Sequence, residues 1–87
     1  MPCNPFAPDF LDCLAQESAS NIKKTVAKAI IDGALVVLSN SRIAINQNET
    51  NIADLPQNVR SVVIEMRNEG MFAWSTQQLQ EWLDNQP

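Results

Sequence analysis

Histidine is the side chain most often used for acid–base work near neutral pH and for holding a transition metal. This 87-residue chain has none, and it has no tyrosine either. What remains is thin. Cys3 and Cys13 lie ten positions apart with no CxxC spacing, which does not make a zinc site. With no secretory signature ahead of them, they read as free thiols rather than a disulfide framework. A serine nucleophile would need a lysine base, and Ser20 beside Lys23 or Lys24 is the one such pair; nothing near it resembles an oxyanion hole. A capping serine beside solvated lysines accounts for it better. Asp9 with Asp12, and Glu65 with Glu69, each share a helix face, but on exposed faces of a chain too small to enclose a deep cleft. Gly33 and Gly70 are the two glycines and stand alone, so no loop cradles a phosphate. The expectation is a protein that is not an enzyme, with no catalytic residue, metal ligand or cofactor.

Binding is then the chemistry left. Lys23, Lys24 and Lys28 form the one basic concentration, a candidate anion or nucleic-acid patch, although it also reads as the solvated side of an amphipathic helix. Net charge is −4 and the pI about 4.5. That balance opposes nucleic acid, which is gripped by Lys and Arg displacing counterions. Residues 58–84 have the rhythm of a helix-turn-helix. A recognition helix there would present Gln77, Gln80, Glu81 and Asp84, with no cation for phosphate. The acids gather near the ends, where Asp9, Asp12, Glu81 and Asp84 have no basic neighbour. With Trp74, on an apolar connector and of a type enriched in binding hot spots, they are the candidate partner-binding residues. Trp82 reads as core.

The elements that would position these groups follow from periodicity. Pro2 and Pro5 make residues 1–6 an irregular lead-in, and a short first helix is expected over about 7–17. Ser18–Asn21 offers caps for a central helix over about 20–38, the longest apolar-rich run and the piece around which the others must pack. Asp32-Gly33 interrupts it. In a strand context that dipeptide makes a hairpin, so a short hairpin or meander within residues 25–46 is the alternative, with Val26–Ile31, Ala34–Ser39 and Arg42–Asn46 as strands. Asn46–Asn51 is the most polar stretch, and residues 46–53 read as an exposed loop. Val59, Val62, Val63 and Met66 fit a helix over about 54–69, with Asp54 and Gln57 as a capping box and Gly70 as its stop. Ser75 and Gln78 repeat the capping pattern before a last helix ending near Asn85.

The fold class expected is therefore all-α: a small bundle of about four helices in one domain over residues 1–87, with α+β as the alternative. The function expected is a non-catalytic protein-binding module of the inhibitor, immunity, adaptor or virus-encoded antagonist type. Its partner would be another protein, with a basic or nucleic-acid-handling one suited to the acidic charge. The alternatives are a nucleic-acid-associated regulator using the lysine face, or a homodimer hiding the apolar excess of residues 29–45. No run reaches the roughly 20 apolar residues a bilayer requires, and no leader is visible, so a cytoplasmic location is expected. The sequon at Asn48-Glu49-Thr50 carries little weight without a leader.

Overall fold

Asp32-Gly33 decides the architecture, and not in the way the sequence led us to expect. In the computed structural model, which describes residues 3–87, the central helix α2 runs Ala19–Ile31 and stops there. Gly33 takes φ +78. Its N–H donates to the carbonyl of Ile30 (3.1 Å), and the N–H of Ala34 donates to Ala29 (2.9 Å). These are the paired bonds of a Schellman stop, and Ala29 and Ala34 are both buried. The chain then leaves as strand β1, Leu35–Val37, which pairs antiparallel with β2, Arg42–Ile45, which pairs with β3, Asn48–Asn51.

The all-α expectation is thus wrong, and the α+β alternative holds. Helices α1 (Phe10–Leu14), α2, α3 (Gln57–Asn68) and α4 (Thr76–Asp84) accompany a three-stranded meander. Even the alternative placed its strands only in part. Residues 26–31 are helix, and Asp32-Gly33 is a helix stop rather than a hairpin turn. The third strand is the segment expected to be an exposed loop. There Asn46 (φ 50) and Gln47 (φ 69) form a two-residue turn with both residues left-handed, which matches strand twist. Polar residues conceal this strand because its two free sides face water. Gln47 carries a Cβ in a region that glycine enters without cost. Gln47→Gly is expected to stabilise the protein by about 1 kcal/mol, read as a raised urea midpoint with an unchanged slope.

The sheet has an inside and an outside. Register places Leu35 opposite Ile45, Val37 opposite Ile43, and Ile43 opposite Thr50. Leu35, Ile43 and Ile45 are buried, against a core that α2 supplies with Ile22, Val26, Ala27 and Ala29 and α3 with Val59, Val62, Val63 and Met66. Those four α3 residues are the ones the periodicity picked. The start of α3 differs: Asp54 belongs to a 3-10 turn, Ile52–Asp54, and makes no capping box. Pro56 pushes Leu55 into extended geometry (φ −70, ψ 152) and moves the helix start to Gln57. Gly70 is left-handed and ends α3 region as expected, before a second 3-10 turn, Met71–Ala73. The Ser75 box forms in full: Gln78 N–H donates to Ser75 Oγ (3.1 Å), and Ser75 N–H donates to Gln78 Oε1 (2.8 Å).

At the other end α1 is shorter than expected. Residues 5–9 are turns, and the helix begins after Asp9 rather than near residue 7. Met1 and Pro2 of the expected lead-in lie outside the described residues. The turns fold the chain back on itself, so that the Cα atoms of Cys3 and Cys13 come within 5.8 Å and the two sulfurs form a disulfide. The free-thiol expectation is corrected: it rested on compartment alone, whereas the local geometry brings the pair into bridging range.

Candidate functional site

The lysine face does not survive as an open patch. Lys23 Nζ lies 2.7 Å from Glu69 Oε1 and 3.6 Å from Glu65 Oε1, and 5.6 Å from the centroid of the Trp82 ring. One ammonium thereby ties α2 to α3 and α4, the two helices packed on it. The hydrogen bond that Lys23 donates to Glu69 raises the Lys23 pKa above its ordinary 10.5, with burial pulling the other way. The compensating acids come from α3 and its C-cap. The Glu65/Glu69 pair is accordingly spent on Lys23. Lys24 Nζ donates to the Pro87 carbonyl (2.8 Å), and Lys28 alone is exposed. Ser20 Oγ shares a hydrogen bond with Ser18 Oγ (3.3 Å) and, among the described residues, none with a lysine. Ser18 is the N-cap of α2, accepting from Asn21 N–H.

The acidic candidates are exposed but not assembled. Asp9 precedes α1 and Asp12 lies in its first turn. Glu81 and Asp84 stand one turn apart on α4, where Gln77 Nε2 donates to Glu81 Oε1 (3.2 Å) and Gln80 Nε2 to Asp84 Oδ1 (2.9 Å). Helix α4 packs on α2, and no extensive contact joins it to α1. The four acids therefore form two separate pairs. Trp74 and Trp82 are both partly buried against the core. Trp74 therefore offers an edge and not a whole ring.

What stands out instead is β1. Val36 and Leu38 are 50% and 48% exposed, on the outer side of the sheet where Val36 faces Ala44 and Ala44 faces Glu49. Among the described residues no strand lies beyond β1; on that side Leu35 is covered, at 3% exposure, and Val37 is half-buried. Asn46 N–H donates to the Ala34 carbonyl (2.8 Å), and Leu38 N–H to the Arg42 carbonyl (3.0 Å). Antiparallel bonding alternates along a strand, so the Ala34 carbonyl and the backbone groups of Val36 and Leu38 turn towards β2. The N–H and C=O of Leu35 and Val37 then point away from the sheet. Strands usually guard such an edge with lysine, proline, charge or a bulge. From Leu35 to Leu38 there is no charge and no proline. The opposite edge, β3, reads Asn-Glu-Thr-Asn, and its Glu49 holds Arg42 at 2.8 Å. One edge is guarded and the other is bare. Sequence reasoning missed Val36 and Leu38 because its favoured reading placed them inside a helix; the signal present was the run Leu-Val-Val-Leu just after Gly33-Ala34.

Among the described residues no helix is long and apolar enough to cross a membrane. Comparison of the chain with family models, with curated proteins and with solved structures finds no match.

Proposed function

We propose that this chain is a non-catalytic protein-binding module that docks by taking an extended segment of a partner protein as a fourth strand beside β1. The observation supporting the reading is the unpaired edge: among the described residues no strand lies beyond half-buried Val37, which is flanked by the exposed side chains of Val36 and Leu38. Strand addition uses these two things together, with backbone bonds for affinity and alternate side chains for selectivity. The acidic charge fits a basic partner surface, and Asp9, Asp12, Glu81 and Asp84 would steer its approach more than hold it.

The test is capture from the cells that make the protein, with three versions of the chain as bait. Val36→Lys places a charge on the bare edge without touching the core; Asn51→Lys does the same on the guarded edge. A protein retained by the wild type and by Asn51→Lys but lost with Val36→Lys is the expected result. On binding, amide exchange at Val37 should slow by at least about tenfold. Equal retention on all three baits counts against the edge. Concentration-dependent self-association that Val36→Lys removes, with no other protein retained, would make a second copy the occupant. Retention of nucleic acid, lost with Lys28→Glu, would favour the regulator reading.

A further inference from the structure

The other unclaimed feature is a cleft where α3 faces the turn between β1 and β2 and the 3-10 turn after β3. It has a volume of about 340 Å³, and Ile52, Ala53 and Ile64 supply its apolar wall. Arg60 and Arg67 also line it. They stand two turns apart on α3, about 10 Å along the axis, with Ile64 one turn from each. Arg60 Nη1 donates to the Ala53 carbonyl (3.2 Å) and Arg67 Nη1 to the Asn40 carbonyl (2.7 Å). Each guanidinium carries five N–H donors in a fixed fork, so each keeps several free.

The chain has ten carboxylates, yet among the described residues neither of these arginines is in an ion pair, while Arg42 is paired with Glu49. Both are half-buried. Among the described residues Asp54 is the one acid lining the cleft, and its Oδ2 accepts from Asn51 Nδ2 (3.4 Å). The cleft is therefore a local positive region on an acidic protein, with a greasy floor between two cationic ends.

We infer that this cleft is a binding site for a small organic anion carrying an oxyanion head at each end of an apolar stem. The volume is at the small end of ligand pockets, which run from roughly 300 to 1,000 Å³. That admits a short linear molecule and no folded partner. The heads take the unused N–H groups of Arg60 and Arg67, where charge-assisted and bidentate bonds are strongest. The stem lies along Ile52 and Ile64. Because the protein as a whole repels anions, recognition depends on these short-range bonds and not on steering. The site is separate from the β1 edge and does not depend on the docking proposal.

Azelate, an alkane bisphosphate and inorganic phosphate serve as probes, each titrated into the labelled full chain while amide shifts are followed. Either two-headed probe should shift the amides of Ser41, Ala53 and Asp54 saturably, and at least about tenfold more tightly than inorganic phosphate. Which of the two binds better tells a carboxylate head from a phosphate head. Both arginines also anchor backbone carbonyls, so a purely structural role must be told apart. Ser41→Asp adds a negative charge at the rim and leaves both arginines in place; it should abolish the shifts with thermal stability unchanged. Arg67→Gln, which keeps a donor for Asn40, should weaken binding about tenfold or more. Lys28→Gln, on the exposed side of α2, should leave binding as it is. Shifts that fail to saturate, that survive Ser41→Asp, or that inorganic phosphate reproduces at equal concentration would overturn the assignment.

Discussion

Cys13→Ser lowers the unfolding free energy by about 3 kcal/mol, the loop-closure entropy returned to the unfolded chain when a ring of roughly eleven residues is opened. In a domain of this size, each kcal/mol moves the melting temperature by roughly 4–8 °C, so a fall of about 15 °C is expected. The number is large because stability is small: native domains hold about 5–15 kcal/mol in total. The bridge also acts on the native side. Cys3 is buried in the core beside Phe10 and Leu14, and the segment it anchors lines a hollow with Ile45, Asn48 and Thr50 of the hairpin. Urea unfolding with and without reductant measures the effect, with thiol titration to verify reduction. Reduced wild type should match Cys13→Ser. A midpoint indifferent to complete reduction would show that the ring contributes nothing.

Leu79→Ala is expected to cost about 3 kcal/mol by a different route, since it leaves the unfolded chain alone and opens a void in the native core. Leu79 is the one fully buried side chain of α4. Trp82 and Leu83 help only from partly buried positions, and the Lys23 contact with Trp82 is at the surface, where such interactions are weak. Removing Leu79 therefore loosens the whole helix, and with it the display of Glu81 and Asp84. Tryptophan emission should shift to the red before global unfolding as Trp82 is wetted. Gln80→Ala, on the exposed face, should change stability by less than about 0.5 kcal/mol. A Leu79→Ala loss below about 1 kcal/mol would mean that α4 is held by something other than its buried leucine.

The two segments with regular periodicity were legible from the sequence, and for one reason: their information is local. The α3 stripe, the Gly70 stop and the Ser75–Gln78 box each involve residues within a turn or two of one another. The residues after Gly33 failed because their information is not local. Ala34–Leu38 is apolar enough to extend a helix. What makes it a strand is the ladder with Arg42–Ile45 and the Schellman bonds at Gly33, and pairing of that kind is not written in the segment itself. Asn48–Asn51 failed for a related reason. A strand at a guarded edge carries polar residues on purpose, so composition alone makes it resemble a loop. The candidate site was least legible. Lys23 reads as free until its acids arrive from 42 and 46 positions away. Arg60 and Arg67 did lie at helical spacing in the sequence, but the cleft beside them exists only once Ile52–Asp54 and Asn40 fold against α3.

The inequality between the two sheet edges has a consequence for how large an assembly can grow. Open-ended filaments need two sticky rims on each unit, so that every addition renews the growing end. Here a strand laid against β1 uses the one unguarded sheet rim among the described residues. Were the newcomer another copy, two-fold closure would consume both β1 strands and leave Asn-Glu-Thr-Asn at either margin of a six-stranded sheet. Growth stops at two. A protein built in this way can keep an adhesive strand in solution without seeding fibres.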